Sequence, residues 1–233
     1  MPRVVILGTG TGVGKTFVAC ALAHALRAVT RHAVLALKPI ETGIVARALT
    51  GAPPAGSDAA ALERAAATGT KARPHPLYGF PDPVSPHLAS RRADRPIILR
   101  KIGRWVESAE EAVRDTTPRY TTVIECAGGA FSPISSRCTN VDLALILEPA
   151  ICVLVAPDAL GVLHDVRATV LAMRARGRDP DYLVLSSARR QDPSAGSNAE
   201  ELPRVGLPRP IAVVPRGDRR GASLRGLARL IQR

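Results

Sequence analysis

The chain has 233 residues, 46% of them hydrophobic, enough apolar material for one sizeable domain and too much for a disordered or collagen-like chain. Its net charge is +12 but aromatics are only 3%, so the core must be built from Ala, Val, Leu and Ile. The basic residues are scattered, without an aromatic platform, a helix-turn-helix or a zinc spacing. The excess charge therefore reads as an arginine-biased surface rather than a nucleic-acid footprint.

Taken in chain order, an apolar run from Val4 to Leu7 leads into Gly8-Thr9-Gly10-Thr11-Gly12-Val13-Gly14-Lys15-Thr16, and an Ala-rich amphipathic run, Phe17 to Ala28, leads out. That is strand, glycine loop and helix. Successive backbone N–H groups in such a loop form a concave anion site, and the helix N-terminus adds partial positive charge. Lys15 then reaches the outer phosphates and the Thr16 hydroxyl a magnesium ion. Gly8 and Gly14 have five residues between them, and position 9 is Thr, so this is a lengthened variant of the usual phosphate loop.

Short apolar runs recur at Val4–Leu7, Ala33–Leu37, Thr121–Ile124, Ile151–Ala156, Tyr182–Leu185 and Ile211–Val214. They are nearly continuous in hydrophobicity, as strands buried on both faces of a parallel sheet are. Helical periodicity fills the gaps at Lys15–Ala28, Asp58–Ala67, Ile97–Asp115, Leu160–Arg176 and Leu224–Gln232. Together these predict one domain over residues 1–233. It is a doubly wound α/β fold with a mainly parallel sheet, helices on both faces and a phosphate loop. Ligands gather at the C-terminal strand ends of such a sheet, so the residues after each strand carry the chemistry.

After the second strand comes Lys38-Pro39-Ile40-Glu41-Thr42-Gly43, where Pro39 and Gly43 stop the strand and turn the chain. Lys38 there either neutralises a transferring phosphoryl group or is a solvated surface lysine. Val45–Ser57 reads as a Gly/Pro/Ala loop. Asp58 either caps or opens the following helix or faces a metal, and its position favours the helix start. The proline-dense Pro74–Pro86 cannot be a central strand; it is an ordered substrate-side loop or a linker, with His87 beyond it a structural surface histidine. Trp105 reads as core packing. The third strand ends Glu125-Cys126-Ala127-Gly128-Gly129, and a carboxylate at that place beside a phosphate loop is a standard magnesium position, the alternative being a glutamate leaving the sheet into water. Residues Asp158–Asp165 open a helix whose N-terminus favours an anion such as a substrate carboxylate. Gln191–Asn198 reads as a flexible polar loop. Cys20, Cys126, Cys138 and Cys152 lack metal spacing and read as reduced thiols, giving a cytoplasmic expectation. The sequence starts directly on a core strand, which argues against a signal peptide, and no apolar run approaches the roughly 18 residues that span a bilayer.

In this order and spacing the segments resemble the dethiobiotin synthetase family over roughly Val4 to Pro215. The resemblance rests on Gly8–Thr16, Lys38-Pro39 with Thr42-Gly43, Ser57-Asp58 and Pro83-Val84-Ser85-Pro86-His87. It continues with Glu125–Gly129, Asn140-Val141-Asp142-Leu143, Leu160-Gly161 and Val214-Pro215. It implies carboxylation and ring closure of 7,8-diaminononanoate with carbon dioxide and MgATP, other nucleoside triphosphates being possible substrates. The products are dethiobiotin, ADP and phosphate. It also implies a cytoplasmic homodimer with no membrane and no nucleic-acid partner. Carried over by position, Lys15 and Lys38 would be catalytic, and Thr16, Asp58 and Glu125 would hold magnesium. Gly12, Val13, Gly14, Lys15, Thr16, Phe17, Glu125, Cys126, Ala127, Gly128, Ser186, Val214, Pro215 and Arg216 would bind nucleotide. Thr11, Thr42 and the helix start Gly161, Val162, Leu163 and His164 would bind substrate, the last four across the dimer interface.

Three positions depart from the family's pattern. Cys126 replaces a glycine, so its side chain would have to find room near the nucleotide. Leu185-Ser186-Ser187 lacks the Asn that reads adenine. His164 replaces an Asn, which bears on carboxylate binding and its pH dependence. The main rival is a partition-type ATPase switch binding DNA or a membrane, but such proteins resemble this one with a lysine early in the loop, where Gly10 stands here. An amidotransferase-type cobyrinate synthase would need a further glutaminase domain. A nucleotide-binding but inactive relative is the third alternative.

Overall fold

The computed structural model describes residues 1–44, 55–67, 76–188, 190 and 192–232. Its strands are β1 (Arg3–Gly8), β2 (Ala33–Leu37), β3 (Ile40–Thr42), β4 (Tyr78–Phe80), β5 (Tyr120–Glu125), β6 (Ile151–Asp158), β7 (Tyr182–Ser187) and β8 (Ala212–Val214). Its α-helices are α1 (Lys15–Thr30), α2 (Asp58–Ala66), α3 (Pro86–Arg92), α4 (Leu99–Arg114), α5 (Asn140–Ile146), α6 (Val162–Ala175), α7 (Asn198–Arg204) and α8 (Arg225–Ile231). Six strands form one sheet in the order β2-β5-β1-β6-β7-β8, and every pairing in it is parallel.

The continuous apolar runs are explained by burial on both faces. Val5, Leu7, Leu35, Leu37, Cys152 and Leu154 point into one core, shared with α4, α5 and α6. Val4, Ile6, Val34, Ala36, Val153 and Val155 point into the other, shared with α1, α2 and α8. With a side-chain period of two, a strand that serves two cores has no polar face left to alternate. The alanines on the buried side of α1 bring that helix close to its neighbours. At Gly221, where the chain turns towards α8, a Cβ would collide with the Ala21 carbonyl of α1, so the C-terminal helix docks only because position 221 has no side chain.

All six expected strands and all five expected helices are present, with ends moved by no more than two residues. The short elements were not foreseen. β3 and β4 form a separate two-stranded parallel sheet, with Glu41 opposite Gly79. Pro39 and Gly43 do interrupt the chain, but they bracket a three-residue strand rather than a bare turn. In the proline-dense segment, Tyr78–Phe80 is that strand's partner, and Pro86 takes the first position of α3, where a missing N–H costs nothing. Residues 45–54 of the expected Gly/Pro/Ala loop, Pro74 and His75 of the proline-dense segment, and Gln191 of the expected polar loop lie outside the described residues. Helices α3, α5 and α7, of seven residues each, were not foreseen, and Asn198 starts α7 instead of ending a loop. Trp105 is half-buried against the core as expected, and His87 is half-buried on α3.

All four cysteines are free thiols, and burial pushes those of Cys20, Cys126 and Cys152 up to about 12. A half-buried ion pair ties α4 to the sheet: Arg3 donates to both oxygens of Glu110 at 2.9 and 2.7 Å, and the Thr122 hydroxyl adds a third bond at 2.9 Å. Among the described residues no helix is long and apolar enough to cross a membrane.

Candidate active site

The glycine loop joins the C-terminal end of β1 to α1. Gly14 caps the helix at φ +95°, and no side chain caps the helix start, nor does an acid lie in its first turn. The positive end of α1 is thus left open to an anion. Lys15 folds back so that its Nζ donates to Gly10 O at 2.9 Å. Burial lowers its pKa, and so does neighbouring Lys38, against the opposing pull of Glu125. The far wall of the loop is the turn after β5. A Cβ on Gly129 would lie 3.2 Å from Gly10 Cα, so this turn packs backbone to backbone on the loop. Fully buried Asn140 fastens the turn by donating to Ala127 O at 2.6 Å and Gly129 O at 2.8 Å. That role for Asn140 was not foreseen.

Beside the loop, Glu125 ends β5 with its side chain 1% exposed. Its Oε1 accepts from Thr16 Oγ1 at 2.7 Å and from Lys38 Nζ at 2.6 Å, and its Oε2 is buried with no hydrogen-bond partner among the described residues. Lys38 also donates to Asp58 Oδ2 at 3.1 Å. Lys38 is buried, so the surface-lysine alternative is excluded. Burial disfavours its ammonium, but the Glu125 and Asp58 carboxylates outweigh that and hold it above the ordinary lysine range. Asp58 is the first residue of α2. The cap is Ser57, whose Oγ accepts from Ala60 N at 3.1 Å, so the Asp58 carboxylate is left to face the lysine.

These groups line one cleft of about 610 Å3. Of the expected residues, Thr11, Gly12, Gly14, Lys15, Thr16 and Phe17 line it from the loop side. Lys38, Thr42, Asp58, Glu125, Ala127, Gly128, Ser186 and Arg216 complete it. Glu41 and Arg219 also line it and were not foreseen. Ser186, at the end of β7, sits so close to the loop that a Cβ on Gly14 would strike its hydroxyl.

Eight expected nucleotide- or substrate-binding residues do not line the cleft: Val13, Cys126, Val214, Pro215 and Gly161–His164. Cys126 points into the core beside Cys152 at 1% exposure, so its thiol needs no room near a nucleotide and only its backbone is available. Its neighbour Glu125 faces the cleft, and adjacent strand residues face opposite ways. Val214 is buried within β8 and Pro215 after it is exposed, while Val13 packs against the core that α1 shares. Gly161–His164 does not line this cleft: Val162 is core, whereas Gly161 and His164 are exposed at the start of α6.

Among the described residues no three His, Cys, Asp or Glu side chains gather as a metal cluster. The unpartnered Glu125 Oε2, with the Asp58 carboxylate and the Thr16 hydroxyl nearby, nevertheless fits a hard cation that takes its remaining ligands from water and phosphate.

The AAA domain family matches residues 2–219. The ATP-dependent dethiobiotin synthetase BioD of Anaeromyxobacter dehalogenans (strain 2CP-C) is 36% identical over 217 residues, covering 92% of this chain and 90% of that protein. BioD of Streptomyces coelicolor is 35% identical over 219 residues, covering 93% and 85%. Among solved structures, the Pyrococcus furiosus cell division ATPase MinD superposes with a TM-score of 0.54 at 19% identity, over 100% of this chain and 99% of that one. A ParA family ATPase from Chlorobium tepidum gives 0.52 at 15%, over 97% and 92%. At those identities the two structures speak for the fold alone. With relatives above 30% identity over nine-tenths of its length, the chain belongs to the ATP-dependent dethiobiotin synthetase family.

Proposed function

We propose that this chain, working as one domain in the cytoplasm, is a dethiobiotin synthase of biotin biosynthesis. It joins carbon dioxide to 7,8-diaminononanoate at the expense of a nucleoside triphosphate. One substrate amine adds to carbon dioxide and loses a proton, giving a carbamate. A carbamate oxygen attacks the γ-phosphorus and expels the nucleoside diphosphate, leaving a carbamic–phosphoric mixed anhydride. The second amine attacks the carbamate carbon, closes the ureido ring and releases inorganic phosphate. The observation that carries this reading is Lys38. Its ammonium is buried between Glu125 and Asp58 at the mouth of the phosphate loop, where carbamate and γ-phosphate must meet.

Such a reaction needs alignment and charge neutralisation more than covalent help from the protein. The loop N–H groups and the start of α1 would hold the phosphates, and Lys15 would leave Gly10 O for the β/γ-oxygens. Lys38 would neutralise the carbamate and the transferring group. Glu125, Asp58 and Thr16 would hold magnesium, directly or through water. When bound, the ion offsets charge on the phosphate oxygens. Thr11 and Thr42 would contact the diamine, and Ser186 and Arg216 the nucleotide side of the cleft.

The chain would act as a homodimer in which Gly161–His164 of each copy takes the substrate carboxylate at the other's cleft. Leu160 is 83% exposed and Leu171 55%. Leu171 lies two turns along α6 from His164, on the same face, and Leu160 stands just before the helix, which suits an interface rather than water. The test is purified protein with diaminononanoate, bicarbonate, magnesium and nucleotide. Dethiobiotin is the expected product, and nucleotide hydrolysis without it would overturn the reading in favour of a switch.

A further inference from the structure

We infer that Glu41 is a positioning residue for the Asp58 carboxylate; the inference rests on reading the cleft as a magnesium-nucleotide site. Glu41 lies in β3 at 5% exposure. Its Oε1 accepts the Asp58 N–H at 2.7 Å and its Oε2 the Ala59 N–H at 3.1 Å. These are the first two N–H groups of α2, which no helix can satisfy internally. Ser57 Oγ takes the next one, from Ala60.

The consequence concerns direction as well as stability. A lone acid at a helix start tends to turn back onto the open N–H groups. Here those groups are already taken, so the Asp58 carboxylate is released to meet Lys38 at 3.1 Å. Contact through both carboxylate oxygens to two successive amides also fixes the orientation of the first turn of α2, and with it the Cα–Cβ bond of Asp58. A bond to one amide would leave a hinge. The bonds run to a carboxylate, the Ala59 one buried and the Asp58 one partly so, and charge-assisted bonds are among the stronger kind.

Glu41 is itself held rigidly. β3 is paired with β4, with Glu41 opposite Gly79. The strand's exit is fixed by Gly43, at φ +77°, where a Cβ would come within 3.1 Å of Pro83 Cβ. The small sheet is therefore the mount that carries both ends of the charge cluster: Lys38 precedes it, and Glu41 reaches from it to the helix bearing Asp58. Nothing in the reading of the loop and the lysine pair assigns a task to Glu41 or to this sheet.

The test uses the full chain with Glu41→Gln, Glu41→Ala and Ser57→Ala. Glutamine keeps the size but can offer an oxygen to only one amide while turning its NH2 towards the other. Manganese binding is measured by electron paramagnetic resonance in the presence of a non-hydrolysable nucleotide, and nucleotide affinity is measured separately without metal. Both Glu41 variants should bind manganese about 10-fold more weakly, within the range that partners of metal ligands command. Metal-free nucleotide affinity should be unchanged. In metal-free protein, hydrogen exchange should accelerate at the Asp58 and Ala59 amides. Ser57→Ala, which loosens the same helix without touching those amides, should retain the parent's manganese affinity.

Parent-like manganese affinity in folded Glu41→Gln would overturn the inference. An equal loss in Ser57→Ala would also overturn it, reducing the effect to fraying of α2. If the parent protein itself bound no manganese with nucleotide, the site reading beneath the inference would fall as well. Should Glu41→Ala fail to fold, the isosteric Glu41→Gln decides.

Discussion

Replacing Lys38 by alanine should do two separable things. The first is to stability. Lys38 and Glu125 meet at 2.6 Å with side chains 4% and 1% exposed, so removing the ammonium leaves a buried carboxylate without its counter-charge. Breaking such a pair from one side costs about 3–5 kcal/mol. For a chain of this size each kcal/mol moves the melting temperature by about 2–4 °C, so the unliganded variant should melt about 6–20 °C lower. The Asp58 contact adds little, because that side chain is 45% exposed. A divalent cation with nucleotide would restore charge beside Glu125, so adding both should narrow the gap between variant and parent. The second effect is on the reaction. Losing a preorganised charge at the transferring group costs on the order of 10²–10³ in kcat. Differential scanning calorimetry with and without magnesium and a non-hydrolysable nucleotide reads the first effect; single-turnover phosphate release reads the second. A variant with parental kcat would refute the role of Lys38, and one with a parental melting temperature would refute the buried pair.

Other outcomes follow from the same geometry. Lys15→Ala should abolish turnover, whereas Lys101→Ala, on the exposed side of α4, should leave steady-state kinetics unchanged. Glu110→Ala takes the acceptor from the Thr122 hydroxyl and two of the bonds from the half-buried Arg3 guanidinium, which keeps Leu147 O, and should lower stability to urea by about 1–3 kcal/mol while leaving kcat intact at temperatures where the variant is folded. Because burial raises the thiols of Cys20, Cys126 and Cys152 from 9.0 to about 12, the folded state keeps protons there that the unfolded state gives up. Their contribution is therefore fully present below pH 9 and lost as the pH rises from 9 towards 12, which urea midpoints at pH 8 and pH 10 should register. The family resemblance implies that Leu185-Ser186-Ser187 stands where relatives read adenine with an Asn, so specificity constants for ATP, CTP and GTP should differ by far less than the ~10⁴-fold given by a site built to hydrogen-bond its base; a preference of that size would refute the inference.

The main sheet was legible because its inner strands are buried on both sides, and that burial writes itself as a nearly continuous apolar run. β3 and β4 left no such mark: three residues between Pro39 and Gly43, and three more amid prolines, carry neither length nor period. The loop, Lys38, Asp58 and Glu125 were legible as chemistry because each follows the end of a strand or opens a helix at the ligand side of the sheet. Glu41 and Asn140 were not, since their tasks lie in hydrogen bonds to backbone 17 to 18 and 11 to 13 positions away. Cys126 was misjudged, although strand alternation alone places it opposite Glu125 and so in the core.

The most direct measurement follows oxygen. Bicarbonate labelled with oxygen-18, given with diaminononanoate, magnesium and unlabelled nucleotide, should deliver one labelled oxygen to inorganic phosphate for each dethiobiotin formed, because the carbamate oxygen that attacks the γ-phosphorus departs with it on ring closure. Phosphate without label would mean that water, not carbamate, receives the phosphoryl group, and would contradict the account.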